Sequence, residues 1–88
     1  MKKIWKYSLP FDGKWHEILI PAADIRHVGN QDGALCFWAV VYDGSDEVKR
    51  NFRVYGTGES IENRTTYIGT TSFDTPAFKP LVLHLFEK

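Results

Sequence analysis

The stretch Ala34–Tyr42, with the sequence ALCFWAVVY, is the most apolar segment of the chain and decides its fold class. From Leu35 to Val41 it shows no alternation of polar and apolar residues, which is typical of a strand that is covered on both faces. The turn residues at 43–46 follow it directly and predict a hairpin with the next strand. We therefore expect Ala34–Tyr42 to lie at the centre of a β-sheet.

Further segments on both sides of this stretch are rich in β-branched and aromatic residues and end at Gly, Pro or Asx residues. They cover residues 4–9, 15–20, 24–28, 51–55, 67–73 and 81–86. The Asp12-Gly13 pair predicts a hairpin between the first two, and Gly69 predicts a bulge or a close backbone approach. The sequence thus predicts an all-β fold, a single small antiparallel sandwich or barrel of about seven short strands. The pattern does not choose between the sandwich and the barrel.

The length of 88 residues predicts a single domain over residues 1–88, with one shared core and modest stability. Aromatic residues make up 15% of the chain, more than a small sheet readily buries, so we expect an exposed aromatic cluster used for self-association or partner contact. An edge strand paired to a second copy would also protect the sheet, and the terminal strands are the natural candidates. We therefore expect a homo-oligomer.

Charge and cysteine content exclude several classes of function. The 11 basic and 11 acidic residues balance, which argues against nucleic acid as a partner. No apolar run approaches the roughly 20 residues that cross a bilayer, and the chain begins with a strand pattern in place of a signal sequence, so we expect no membrane association. The lone Cys36 fits a reducing, cytoplasmic setting.

No set of residues predicts catalysis or metal binding. The histidines His16, His27 and His84 lie far apart in sequence, without the close spacing of a metal site. Cys36 lies in the most apolar segment, where a thiol is not activated, and no serine stands in a Gly-x-Ser-x-Gly pattern. We therefore expect no catalytic residues, no metal and no cofactor, and a protein that is not an enzyme.

The segment at residues 53–58 predicts a ligand site, because a cation, a phenol and a hydroxyl flanked by glycines emerge together where a strand enters a loop. Glycines let backbone N–H groups converge on an oxyanion, and arginine adds charge-assisted hydrogen bonds. His84 shares a predicted face with two apolar residues and would need a hydrogen-bond partner. The ligand-binding candidates are Arg53, Tyr55, Gly56, Thr57, Gly58, Arg64 and His84. The alternative is an ordinary turn with an outward arginine.

Five motifs together resemble a family of small uncharacterised bacteriophage proteins. They are KIWKY at residues 3–7, HVGNQ at 27–31, FRVYGTG at 52–58, YIGT at 67–70 and HLFE at 84–87. The resemblance spans nearly the whole chain and implies a phage-encoded accessory protein that acts in the cytoplasm of the infected bacterial host. Such proteins often block host defence by binding a host-defence protein or by sequestering a small nucleotide signal.

Two functions follow as expectations. The first is a non-enzymatic binding protein that neutralises a host-defence component, with arginine on phosphate and an aromatic ring stacked on the base if the ligand is a nucleotide. The alternative is a homo-oligomeric structural, assembly or protein-interaction module of a phage, presenting a flat aromatic patch or a symmetric contact.

Overall fold

The computed structural model describes residues 1–77 and 79–88, and within them the secondary structure is β throughout. The described residues form seven strands: β1 (Lys2–Leu9), β2 (His16–Ile20), β3 (Ala23–Gln31), β4 (Ala34–Tyr42), β5 (Val48–Gly56), β6 (Thr66–Phe73) and β7 (Leu81–Glu87). Each predicted strand segment lies within or overlaps one of these, which confirms the all-β prediction. In this part of the chain, no helix has the length and apolar character needed to span a membrane.

The strands form two antiparallel sheets, one of three strands in the order β1-β4-β3 and one of four strands in the order β2-β5-β7-β6. Because the two sheets remain separate and share a core, the fold is sandwich-like. This decides between the sandwich and the barrel, which the sequence left open. The predicted central position of Ala34–Tyr42 is confirmed, since β4 lies between β1 and β3. Its pairing with β1 runs from Lys2 opposite Tyr42 to Leu9 opposite Leu35.

Two predicted hairpins are wrong. The chain passes from β1 in the three-stranded sheet to β2 in the four-stranded sheet, and β4 and β5 are likewise in different sheets. The turn residues at 12–13 and 43–46 therefore lie in connections that lead from one sheet to the other, and not in hairpins. The β3–β4 turn at Asp32-Gly33 is a true hairpin, and both of its residues have the positive φ that such tight turns need.

The core lies between the sheets and consists of inward-facing residues at period two along the strands. Leu35, Phe37, Ala39 and Val41 of β4 are fully buried, as are Phe52 and Val54 of β5 and Leu83 and Leu85 of β7. The outer face of β4 is only partly covered: Cys36 is buried, but Trp38 and Val40 are half-buried and Tyr42 is exposed. The expectation of a strand covered on both faces therefore holds for the inner face alone.

β6 approaches β3 closely at Gly69. The β6–β7 register shifts between Tyr67 and Gly69, which is the bulge that the glycine predicts. A Cβ atom at Gly69 would lie 2.6 Å from Cγ2 of Val28 on β3. The register shift agrees with the predicted bulge, and the alternative, a close approach to the Gly69 backbone, is made by the side chain of Val28.

Candidate functional site

The outer face of the four-stranded sheet carries an aromatic cluster around Tyr55. The alternation along β5 turns Phe52 and Val54 into the core and Tyr55 outward, yet Tyr55 is only 1% exposed. Its ring meets those of Trp15 and Phe86 edge-on, with centroid distances of 6.3 and 5.3 Å. The backbone N–H of Glu62, in the loop after β5, donates to the Tyr55 hydroxyl over 3.4 Å. Tyr55 is thus enclosed, and it offers no free ring face to a ligand.

Arg53 is occupied by neighbours within the chain. Its guanidinium carbon lies 4.4 Å from the centroid of the Tyr55 ring, a cation–π contact. Its Nη2 atom lies 3.8 Å from Oε1 of Glu59, and its buried Nε has no hydrogen-bond partner among the described residues. The charge of Arg53 is therefore balanced by Glu59 and directed along the sheet surface, so the guanidinium is not free to hold an anion.

The turn after β5 is built on its two glycines. Gly58 has a φ of 94°, a conformation that L-residues rarely adopt. The N–H of Gly56 donates to the Glu59 carboxylate, and the N–H of Glu59 donates to the Gly56 carbonyl over 3.3 Å. Phe11 packs so closely that a Cβ at Gly56 would lie 3.1 Å from its ring. This turn fixes Thr57, the residue between the glycines, over the sheet.

His84 is the polar centre of the site. On one side its Nε2 lies 2.9 Å from Oγ1 of Thr57, and on the other its Nδ1 lies 2.9 Å from Oγ1 of Thr70. The Tyr67 hydroxyl lies 2.6 Å from the same Thr70 oxygen. The β6–β7 register creates this chain by placing Thr70 opposite His84. The partner that the sequence required for His84 is therefore a pair of threonine hydroxyls, which hold the imidazole plane in one orientation.

A cleft of about 180 Å³ opens beside His84. Its apolar walls come from Ile61, Tyr67 and Phe86, and Tyr67 is 56% exposed. Its polar groups come from Thr57 and His84, and Glu59 is the one charged residue in the lining. Because Arg53 balances Glu59, the cleft is close to neutral. Aromatic walls with a few fixed polar groups are features of small-molecule sites, but this cleft is smaller than the roughly 300–1,000 Å³ of most such sites.

Five of the seven predicted site residues lie together at the cleft, but neither of the two arginines does. Tyr55, Gly56, Thr57, Gly58 and His84 line the cleft, whereas Arg53 lies behind Tyr55 and does not. Arg64 lies in the loop between β5 and β6, is exposed, has a φ of 63° and is also outside the lining.

Sequence reasoning missed Ile61, Tyr67, Thr70 and Phe86. Tyr67 and Phe86 are opposite one another in the β6–β7 register, with ring centroids 5.6 Å apart. The sequence signal that could have identified Phe86 is its spacing of two residues from His84, which places both side chains on the same face of a strand. Their β6 partners depend on a strand pairing and a bulge that no local pattern specifies.

The remaining candidate residues lie elsewhere. His16 pairs with Asp12, its Nε2 lying 3.0 Å from a carboxylate oxygen, and this hydrogen bond lowers the pKa of Asp12. His27 packs on Trp38 at a centroid distance of 5.5 Å. Cys36 is buried in β4. Across residues 1–77 and 79–88, no group of three His, Cys, Asp or Glu residues is arranged to hold a metal ion.

A family model matches the whole chain, residues 1–88, and its description is Domain of unknown function (DUF7352). The chain belongs to the DUF7352 family. Searches of curated proteins and of solved structures gave no match. Since the DUF7352 description names no reaction or ligand, the functional argument for this member depends on the geometry of the cleft.

Proposed function

We propose that this DUF7352 chain is a non-enzymatic binding protein, and that it recognises the heteroaromatic ring of a nucleotide signal in the cleft beside His84. The observation that carries the proposal is the fixed imidazole of His84 at the polar side of a cleft walled by Tyr67 and Phe86. Flat rings stack on aromatic side chains, and the polar edge of a base hydrogen-bonds to side-chain hydroxyls. Both nitrogens of His84 are engaged by threonines, so His84 fixes the Thr57 hydroxyl, which is the group that meets the base.

The size and charge of the cleft support the ring of a nucleotide and not its phosphates. A volume of about 180 Å³ accommodates a purine-sized group but not a whole nucleotide. Glu59 would repel a phosphate. Arg53 is paired with Glu59 and is therefore not free to attract a phosphate. The phosphates would therefore extend outward. Arg64, three residues after the cleft residue Ile61, is exposed and forms no ion pair within the described residues. The sequence predicted that Arg53 binds the phosphate and Tyr55 stacks on the base. In this proposal, Arg64 binds the phosphate and Tyr67 stacks on the base.

Two features favour binding over catalysis. Thr57 and His84 form a hydroxyl–imidazole pair, the beginning of a nucleophile–base arrangement. However, the far nitrogen of His84 contacts the hydroxyl of Thr70 and not a carboxylate that would stabilise an imidazolium. The N–H of Gly56 is also engaged by Glu59 and does not point at a developing oxyanion. The pair therefore orients donors and acceptors for a bound ligand.

In the phage setting that the motif resemblance implies, this binding would neutralise a host-defence component. Defence systems that signal through small nucleotides lose their output when the signal is withheld. A protein that sequesters such a molecule in the cytoplasm of the infected host needs affinity and abundance but no chemical step. The proposal thus accounts for a site that is shaped for binding without turnover.

A thermal-shift screen with cyclic and ADP-ribose-type nucleotides tests the proposal. A ligand at 100 times its Kd stabilises the folded state by about 2.7 kcal/mol, which raises the Tm of a domain this small by well over 5 °C, at roughly 4–8 °C per kcal/mol. Thr57→Val and Tyr67→Leu are expected to weaken binding at least about tenfold, equivalent to about 1.4 kcal/mol. Thr66→Val, at the start of β6 and outside the lining, is the matched control and should bind normally.

Arg64 and Arg53 provide the second arm of the same test. Arg64→Ala is expected to lower affinity for the phosphorylated ligand while leaving affinity for the corresponding nucleoside unchanged. Arg53→Ala is expected to lower stability without a separate loss of phosphate affinity, because its contacts are internal. No thermal shift with any nucleotide at millimolar concentration would contradict the proposal.

A second candidate function is a homo-oligomeric assembly or protein-interaction module. The observation that favours it is an apolar patch on the otherwise mixed outer face of the three-stranded sheet, where Ile4 is 73% exposed beside the half-buried Val40 and the exposed Tyr42. Apolar and aromatic surface of this kind is typical of contact sites between proteins. Multi-angle light scattering tests this candidate, and a strict monomer at all concentrations would argue against it.

A further inference from the structure

The outer face of β7 carries two pockets in a row. β7 lies between β5 and β6, so the expectation that the terminal strands are edge strands is confirmed for β1 and wrong for β7. Val82, His84 and Phe86 alternate outward along it, because Leu83 and Leu85 between them are buried in the core. The cleft lies at His84 and Phe86, and a second pocket lies at Val82.

This second pocket, the end pocket, is mainly apolar. Its volume is about 520 Å³, and its apolar walls come from Phe11, Pro80, Leu81 and Val82. Phe11 is 48% exposed, so part of its ring is open to a ligand. Unlike the cleft, the end pocket lies within the usual range of small-molecule sites, roughly 300–1,000 Å³. The cleft therefore adjoins a larger space that its own lining does not describe.

The cleft and the end pocket share one wall. Gly56, Thr57 and Glu59 line both. The Thr57 hydroxyl oxygen lies 2.9 Å from Nε2 of His84, in the cleft, and 3.5 Å from the carbonyl oxygen of Val82, in the end pocket. A single ligand that lies across Thr57 therefore reaches both pockets.

Glu59 limits the chemistry of a group in the end pocket. It is the one charged residue among the described residues of the lining, and it repels an anion. Its carboxylate accepts from the N–H of Gly56, and its Oε1 lies 3.8 Å from Nη2 of Arg53. A carboxylate offers about four acceptor positions, so Glu59 retains capacity for an amino group. The apolar walls disfavour a sugar, whose hydroxyls would lose their hydrogen bonds to water. A flat heteroaromatic ring with an amino group meets both conditions.

We propose that the ligand is a dinucleotide, which places one base in the cleft and the second base on Phe11 in the end pocket. This inference rests on the proposed nucleotide-binding function and names the class of nucleotide. A mononucleotide in the cleft would leave the end pocket unused, and ADP-ribose would set its terminal ribose against apolar walls. A dinucleotide brings a flat ring to each pocket.

The spacing along β7 agrees with a linked pair of rings. Residues in a strand rise by about 3.3 Å each, so Val82 lies about 6.5 Å from His84 and about 13 Å from Phe86. Rings in the two pockets are therefore not fused but joined by a linker, as the bases of a dinucleotide are. The linker crosses the turn at the exposed Thr57, so its phosphates stay in water, where counter-ions screen their repulsion from Glu59.

The first test compares ligands with one base and with two. AMP, ADP-ribose, the linear dinucleotide ApA and cyclic di-AMP, together with GMP, GpG and cyclic di-GMP, are titrated into the wild-type chain by isothermal titration calorimetry. At least one dinucleotide should bind about tenfold more tightly than ADP-ribose and than the mononucleotide with the same base, since one more stacked base contributes a factor of roughly 5–150. A mononucleotide or ADP-ribose that binds as tightly as every dinucleotide overturns this inference and leaves the proposed function standing. No binding by any nucleotide removes both.

Ring substitutions then separate the two pockets. Phe11→Leu keeps an apolar contact with the turn but removes the stacking face, so dinucleotide affinity should fall at least about fivefold while mononucleotide affinity stays the same. Tyr67→Leu, in the cleft, should lower both affinities. Tyr42→Leu, at an exposed ring that lines neither pocket, is the matched control and should bind normally. Unchanged dinucleotide affinity in Phe11→Leu, or an equal loss for both ligands, overturns the placement of the second base.

Discussion

Replacing Gly69 with alanine tests the close approach of β6 to β3. A methyl group at this position would lie 2.6 Å from Cγ2 and 2.9 Å from Cβ of Val28. Carbon atoms pack best at about 3.5–4.0 Å, so the overlap is about 1 Å and either the sheets separate or Val28 changes rotamer. Overpacking of this kind costs about 1–3 kcal/mol. Alanine would otherwise be favoured over glycine in a strand by about 0.5–1 kcal/mol, because glycine loses more backbone entropy on folding.

The steric cost is the larger of the two, so we expect the free energy of unfolding to fall by about 1–2 kcal/mol. Urea unfolding followed by tryptophan fluorescence measures this, with an unchanged slope if the transition remains two-state. Val28→Ala should suppress the defect, so that the double variant loses less stability than the two single losses added together. Gly29→Ala, whose methyl would lie no closer than 3.1 Å to His27 and 3.2 Å to Trp38, should lose less. A Gly69→Ala variant as stable as wild type, or a strictly additive double variant, would refute the reasoning.

Three other perturbations have expected outcomes. Glu87→Gln should lower the free energy of unfolding by about 1–3 kcal/mol in urea titrations, because it removes one charge of a hydrogen-bonded pair that joins Glu87 to Arg50 over 2.6 and 2.7 Å. The hydrogen bond from His16 holds the pKa of Asp12 below 3.8, so the associated stabilisation is present above pH 3.8 and lost as pH falls through the lower folded value. His16→Ala should move the NMR titration midpoint of the Asp12 carboxylate back toward 3.8. Phe52→Ala, at a fully buried ring, should cost about 3–5 kcal/mol and leave the far-ultraviolet circular-dichroism signal of a largely unfolded chain.

The strands could be predicted from the sequence because their signals are local. The continuous apolar run Ala34–Tyr42 and the alternation of Phe52 and Val54 follow from which face of a strand meets the core. The role of Gly69 could be predicted for the same reason, since a glycine inside a β-branched segment indicates a bulge or a close approach. Each of these features depends on residues within a few positions of one another.

The strand partners could not be predicted, because a turn reverses the chain without choosing the sheet that the next strand joins. Asp12-Gly13 and Asp43-Gly44 have the composition of hairpin turns, yet both connect one sheet to the other. The deciding interactions are long-range, such as the packing of Phe37 against Phe52 across the core at a centroid distance of 4.9 Å. The β6 half of the cleft depends on those pairings, which is why Tyr67 and Thr70 were missed.

Arg53 illustrates why a cation beside glycines does not by itself make an anion site. Its guanidinium has two competing partners within the chain, the face of Tyr55 at 4.4 Å and the carboxylate of Glu59 at 3.8 Å. An incoming phosphate would have to displace that carboxylate or tolerate it nearby, and both cost electrostatic energy in a partly buried setting. The same contacts give Arg53 a different use, since they hold the turn over the aromatic cluster and thereby position Thr57 against His84. The charge that made Arg53 conspicuous in the sequence therefore supports the cleft from behind, and the side chains that face the cleft are those of other residues, among them Thr57, Tyr67 and His84.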